Sequence, residues 1–359
     1  MTAIPSFRIG QRTIGPDAPP LVIAEMSGNH NQSLERALAI VDAAARAGAH
    51  ALKLQTYTAD TMTLDVRGGD FEITNPDSPW FGRNLHELYQ EAHTPWAWHA
   101  PLMQRCADLG MLCFSTPFDA TAVDLLESLD VPAYKIASFE VPDLRLLARV
   151  ARTGKPVIMS TGMASLAELD DAVRVLRTNG CQQLVLLKCT STYPAAARNS
   201  NLRTIPHLRE AFGTHVGLSD HTGGIGAATA SIALGAVVIE KHFTLRRADG
   251  GVDASFSLEP EEMAALVVET ERAWEALGEV RYGVSEVERP STLFRRSLYI
   301  VEDLEAGALL TESNVRAIRP GHGLSPRHLD QVLGLRTTVP VRKGTPLDWP
   351  LLQSPAGAP

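Results

Sequence analysis

Val216-Gly-Leu-Ser-Asp-His221-Thr222 and, further on, Val237-Val-Ile-Glu-Lys-His242-Phe-Thr244 set the reading of this chain. Each is a short apolar run that ends in a polar cluster containing a histidine. The stretch between them, Gly223 to Gly235, is rich in Ala, Ile and Leu and reads as a helix. Two parallel strands joined by a helix have their carboxyl ends on the same side. His221 and His242 are therefore expected to meet at one sheet edge, with Asp220 and Glu240 beside them. Two imidazoles with carboxylates nearby suit a divalent metal. The competing reading makes each histidine a strand-end cap. Matched positions on successive strands favour the shared site.

The same rhythm recurs toward the N-terminus. Leu21–Glu25, Ala51–Gln55, Met111–Ser115, Ala133–Ala137, Pro156–Ser160 and Gln183–Lys188 read as strands, each followed by a helical pattern, and Glu259–Leu277 reads as the last helix. Eight strand–helix units with near-continuous apolar strands predict a (β/α)8 TIM barrel. An open doubly wound sheet is the alternative. It needs a Gly-x-Gly-x-x-Gly loop after the first strand, and Glu25-Met-Ser-Gly-Asn-His30 is not one. Phe7 to Ile14 reads as a hairpin that plugs one end of the barrel. Residues 1–282 are assigned to the barrel domain, 283–296 to a linker, 297–353 to a small β-rich domain, and 354–359 to a disordered tail.

The chain has 359 residues and a net charge of −8, so binding driven by neutralising nucleic-acid phosphates is not expected. Cys106, Cys113, Cys181 and Cys189 show no C-x-x-C spacing and sit in apolar runs, as reduced buried thiols do. No apolar run approaches the ~20 residues that span a bilayer. Met1 to Pro20 lacks the pattern of a signal peptide. A cytoplasmic protein is expected.

In a barrel of this kind chemistry sits where strands end. That rim would carry Glu25, Lys53, Gln55, Ser115, Thr116, Lys135, Ser138, Glu140, Ser160, Lys188, Ser191, Tyr193, Ser219, His221, Glu240 and His242. Hydroxyls, ammonium groups and helix-start N–H groups together make an anion site, and phosphate is the natural guest. Ser165, Asp119 and Asp143 read instead as helix N-caps. Lys53 and Lys135 lie within apolar strands, where a charge must find a partner or a ligand. An ion pair with Glu25 is the alternative for such a lysine.

Taken in order, Glu25-Met-Ser-Gly-Asn-His30, Lys53-Leu-Gln-Thr, Ser115-Thr-Pro-Phe118, Tyr134-Lys-Ile-Ala-Ser138, Ser160-Thr-Gly-Met163, Cys189-Thr, Tyr193-Pro, Gly217-Leu-Ser-Asp-His-Thr222 and Glu240-Lys-His-Phe-Thr244 resemble the sialic-acid synthases. Val315 to Gly323 and Arg342-Lys-Gly344 resemble the antifreeze-like (SAF, β-clip) domain of that family. Ser27-Gly-Asn-His-Asn-Gln-Ser33 and Leu88-Tyr-Gln-Glu-Ala-His-Thr-Pro95 are most similar to its pseudaminic-acid branch. The resemblance implies a condensation of phosphoenolpyruvate with an amino sugar. It implies that Lys53, Thr116, Lys135, Ser138, Ser160, Ser191 and Ser219 hold phosphoenolpyruvate; Ser191 departs from the Asn of the sialic-acid branch. It implies Mn²⁺ or Mg²⁺ on His221 and His242, with Glu25 or Asp253 handling the proton of an attacking water. Asp253 as a solvated loop residue is the alternative. Gln55, Glu140 and Tyr193 would face the sugar, and Arg319 would reach the neighbouring subunit's barrel in a homodimer. Trp80, Phe81 and Tyr57, around the long segment Thr56 to Arg83, are expected to wall the sugar's C6 methyl group. An N-acetylneuraminate or legionaminate synthase, a metal-dependent pyruvate aldolase and a non-catalytic sugar-binding protein are the other readings.

Overall fold

The computed structural model describes residues 4–353, in two compact units, Met1–Gly278 and Glu279–Pro359. In the first, β1 (Phe7–Ile9) and β2 (Arg12–Ile14) form an antiparallel hairpin. Then follow β3 (Leu21–Glu25), β4 (Ala51–Thr56), β5 (Leu112–Pro117), β6 (Tyr134–Ile136), β7 (Val157–Ser160), β8 (Leu184–Cys189), β9 (His215–Ser219) and β10 (Ala236–His242). These eight strands are parallel and close on themselves, with β10 paired to β3. The structure is therefore the barrel and not the open sheet.

Strand residues alternate between two environments, as the pleat requires. Val22, Ala24, Leu52, Leu54, Met159 and Leu186 point outward and pack in one core with the surrounding helices. Leu21, Ile23, Ala51, Phe114, Ala133, Ile158, Val185 and Leu187 point inward and form a second core, which includes Ile9 and Ile14 of the hairpin. The hairpin thus fills the amino end of the barrel. At the register shift between Ala236 and Val238, both Val237 and Val238 join the inner core.

Local chemistry sets the helix starts. Asp119, Asp143 and Ser165 accept backbone N–H groups of the first turns that follow them, so they are N-caps. All four cysteines are buried and free. Among the described residues, no helix is long and apolar enough to cross a membrane.

The second unit holds short antiparallel pairs, β11 (Ser297–Ile300) with β12 (Val315–Ile318) and β13 (Arg336–Thr337) with β14 (Leu352–Gln353). Leu298, Ile300, Leu310, Val315, Val332, Val341 and Leu347 make its core. Within residues 283–296, Arg289–Phe294 form a 3₁₀ helix, and Gly321 N–H donates to Leu293 O at 2.9 Å. The tail assigned to 354–359 lies outside the described residues.

Candidate active site

The inward phase of each strand turns polar at its carboxyl end. Two residues beyond Ile23 stands Glu25, beyond Ala51 Lys53 and then Gln55, beyond Phe114 Thr116, beyond Ala133 Lys135, beyond Ile158 Ser160, and beyond Val238 Glu240 and His242. A buried charge is costly unless it is paired and hydrogen-bonded, and these four charges are. Lys53 Nζ lies 2.8 Å from Glu25 Oε2 and 3.8 Å from Glu240 Oε1, and donates to Thr116 Oγ1 at 3.2 Å. Lys135 Nζ donates to Ser160 Oγ at 2.8 Å and lies 3.6 Å from Glu240 Oε1. Ser219 Oγ donates to the same Glu240 oxygen at 3.2 Å, and Gln55 Nε2 donates to Glu25 Oε1 at 2.9 Å. The Lys53–Glu25 ion pair that the sequence left as an alternative is present.

The carboxyls of this cluster differ. Burial, with repulsion from Glu240, raises Glu25 to about 7 against the pull of Lys53. Burial also works against ionisation of Glu240, but Lys135 and Lys53 hold its pKa below the usual carboxylate value. Lys135 is lowered by burial, whereas the two glutamates outweigh burial at Lys53 and raise it. Near neutral pH, the two lysines thus face one ionised and one partly protonated carboxyl. Two lysine side chains ringed by hydroxyls suit an anion.

His221 and His242 meet beside this cluster, with ring centroids 5.4 Å apart. His221 Nδ1 is 2.9 Å from Thr190 O. A carbonyl only accepts, so Nδ1 carries the proton. Burial works against a charge on the ring, but Cys189 and the Thr190 carbonyl outweigh it and raise the pKa. In its neutral form the ring presents Nε2 as a lone pair. His242 Nδ1 is buried without a hydrogen-bond partner, and lies 3.8 Å from Asp253 Oδ2. Burial and the neighbouring His221 push its pKa well below that of a free imidazole, so the ring is neutral. A partnerless buried lone pair beside a second imidazole fits a divalent cation. Among the described residues, no group of three or more His, Cys, Asp and Glu side chains could hold a metal. The protein's own contribution is this pair.

The other expected residues fall into place unevenly. Asp253 is buried, its Oδ2 accepts from Ser27 Oγ, and burial raises its pKa; the solvated-loop alternative for it fails. Ser138 and Ser191 share a hydrogen bond of 2.7 Å. Glu140 is half-buried, raised by burial to about 7, and its Oε2 has no partner. Tyr193 packs against His221 with ring centroids 4.4 Å apart and the planes tilted by 41°. Trp80 lies 5.7 Å from Tyr193 and donates its indole N–H to Val252 O at 2.9 Å. Arg319 follows β12 in the second unit and is exposed there.

Several expectations need correction. Asp220 does not stand beside the histidines' open nitrogens; it points outward and takes an ion pair from Lys241 at 2.9 Å. Ser115 and Lys188 lie on the outward phase: Ser115 bonds Thr56 Oγ1 at 2.6 Å, and Lys188 Nζ donates to Thr190 Oγ1 at 3.4 Å. Of the proposed aromatic wall Trp80 packs beside Tyr193, Tyr57 is buried within reach of the charges of Asp253 and Glu25, and Phe81 does not reach the site. Tyr57 packs on Tyr89 and Phe118, and Phe81 is 58% exposed. Phe256 joins the wall instead of Phe81, 5.0 Å from His242 and 5.2 Å from Tyr193. Nothing in the sequence marks Phe256, because its position depends on a loop. Glu240 could have been assigned to the anion cluster from parity with His242 alone.

Fold and site together define a (β/α)8 enzyme with polar chemistry at its carboxyl rim and a small C-terminal β domain. Residues 40–282 match the NeuB family and residues 295–353 match the SAF domain. The chain belongs to the NeuB family. It is 41% identical over 331 residues to the pseudaminic acid synthase of Campylobacter jejuni, covering 92% of this chain and 96% of that one. It is 36% identical to an N,N'-diacetyllegionaminic acid synthase of the same organism, covering 88% of this chain and 94% of that one. The N-acetylneuraminic acid synthetase of Leptospira borgpetersenii, solved with citrate, superposes with a TM-score of 0.72 at 32% identity, over 81% of this chain and 96% of that one. The chain is a transferase, and the non-catalytic sugar-binding reading is set aside.

Proposed function

We propose that the protein is a pseudaminic acid synthase. It condenses phosphoenolpyruvate with 2,4-diacetamido-2,4,6-trideoxy-L-altrose and releases phosphate by C–O cleavage. The observation that carries this reading is the convergence of Lys53 and Lys135 on one carboxylate, beside two imidazoles with open ring nitrogens. The share of sequence held in common with the C. jejuni pseudaminic acid synthase supports the choice of acceptor.

Lys53 and Lys135 hold the phosphate and carboxylate of phosphoenolpyruvate, with Thr116, Ser138, Ser160, Ser191 and Ser219 donating to their oxygens. Binding such an anion draws the lysines away from Glu25 and Glu240. Glu25 then has an oxygen free to accept the proton of the water that adds to C2. Its pKa of about 7 lets it hold or release that proton near neutral pH. Asp253, fixed by Ser27, is the second candidate for that proton. His221 and His242 would hold Mn²⁺ or Mg²⁺, a Lewis acid that polarises the sugar's aldehyde group. Glu140 and Gln55 present polar groups to the acceptor, and Trp80, Tyr193 and Phe256 present an apolar face to its methyl group. A second copy of the chain supplies Arg319 to the sugar's acyl groups, so the active species is a homodimer.

Phosphate release from phosphoenolpyruvate, Mn²⁺ and a panel of acceptors tests this reading. The trideoxy-altrose sugar is expected to turn over best. Faster turnover of N-acetylmannosamine would move the protein to the N-acetylneuraminate branch. A product formed from pyruvate without phosphate release would mark an aldolase.

A further inference from the structure

Lys241 stands between Glu240 and His242 on β10, on the opposite face of the strand. It is 1% exposed. Its Nζ donates to Asp220 Oδ2 at 2.9 Å, Thr222 O at 2.6 Å and Gly224 O at 2.8 Å. An ammonium group has three protons, and all three are used. Every acceptor belongs to the short segment that leaves β9 and carries His221. Asp220 Oδ1 in turn accepts the N–H of Thr222 at 3.0 Å, and the Asp220 N–H donates to Glu240 O at 2.9 Å. His221 itself is held by its own carbonyl, which accepts the Ala195 N–H at 2.9 Å, and by Nδ1 to Thr190 O, with Cys189 and the Tyr193 ring beside the imidazole.

A buried ion pair is a poor source of stability, since well-packed apolar side chains of similar volume often do as well. A lysine with all three protons spent on one loop has another use. We propose that Lys241 is the positioning residue for the His221 imidazole. It fixes the Asp220–Gly224 backbone so that Nδ1 reaches Thr190 O and Nε2 stays open beside His242. One strand thus supplies His242 on its inner face and the mount for His221 on its outer face. The proposal rests on reading the two histidines as a cation site, and it assigns a role that neither histidine's own contacts show.

The test compares wild type, Lys241→Met and the double variant Asp220→Asn/Lys241→Met. The single variant leaves a carboxylate buried without its partner and melts early. The double variant removes both charges and regains most of the wild-type melting temperature. Two readouts then separate positioning from folding. The first is the ring-nitrogen NMR pattern of His221 in metal-free protein at alkaline pH. The second is the Mn²⁺ dissociation constant. Wild type is expected to show one tautomer, protonated at Nδ1. The double variant is expected to show mixed tautomers, and Mn²⁺ binding weakened ~10–100-fold, as for other lost supports of metal ligands. A double variant that melts like wild type and keeps the single-tautomer pattern overturns the proposal. If wild type binds no Mn²⁺, the cation reading fails, and the ring pattern alone decides the role of Lys241.

Discussion

Replacing Gly162 by alanine tests whether the Ser138–Ser191 pair belongs to the anion site. Gly162 has φ +48°, and an added Cβ would fall on Ser138 Cβ and within 2.7 Å of Ser191 Oγ. The left-handed backbone costs a non-glycine residue ~1–2 kcal/mol. Forcing apart two packed side chains costs ~1–3 kcal/mol more. The total of about 2–5 kcal/mol corresponds to a fall in melting temperature of roughly 4–20 °C for a domain of this size. Moving the serines also removes donors from a charged phosphate. At ~1.5–3 kcal/mol for such a bond, KM for phosphoenolpyruvate should rise roughly 10–100-fold. Gly154 supplies the control, since it has φ +72° and no atom within 4 Å of an added Cβ. Gly154→Ala carries the backbone cost alone and leaves KM unchanged. Thermal unfolding and initial-rate kinetics measure both effects. If Gly162→Ala matches Gly154→Ala in melting and in KM, the two serines are not where the argument needs them.

Burial raises Glu25, so at neutral pH it is partly protonated and its proton-accepting form grows as pH rises; kcat/KM should climb through about 7. Glu25→Gln should flatten that limb and lower the rate ~10²–10⁴-fold, whereas Glu140→Gln, though Glu140 also lies near 7, should keep the limb. His242→Ala removes one of the two open ring nitrogens; Mn²⁺ binding followed by electron paramagnetic resonance should be lost, while phosphoenolpyruvate binding with chelator present should persist. Trp80→Ala strips the apolar face above Tyr193, and acceptor KM should rise about tenfold, near 1.4 kcal/mol, with KM for phosphoenolpyruvate unchanged. Mixing inactive Arg319→Ala and His221→Ala chains should restore about a quarter of wild-type activity if two subunits build each site, because only half the dimers then hold one intact site; absence of rescue would point to self-contained chains.

Much of the site was legible because parity and topology are written locally. The paired histidines follow from two successive strand ends, and Lys53 and Lys135 follow from charges set in apolar runs. Parity also corrects the reading. Asp220, Ser115 and Lys188 are next to site residues in sequence and therefore face away from them. The aromatic wall was less legible. Trp80 and Phe256 come from loops whose paths depend on contacts such as the indole N–H to Val252 O, made across 172 positions of chain. No period announces such a contact, and adjacent Trp80 and Phe81 have opposite fates.

The extra valine in β10 has a consequence of its own. A strand that strictly alternated could not bury Val237 and Val238 on one side, and the irregularity at Ala236 absorbs the odd residue. Everything downstream inherits the corrected beat. Excising Val237 itself would leave Glu240 and His242 facing the lumen, but excising Ile239, past the irregularity, would turn them out among the helices and swing Lys241 into the lumen. No reactive group would have been altered, yet catalysis would end. In this part of the chain, counting matters as much as chemistry, and a hunt by point substitution alone would overlook it.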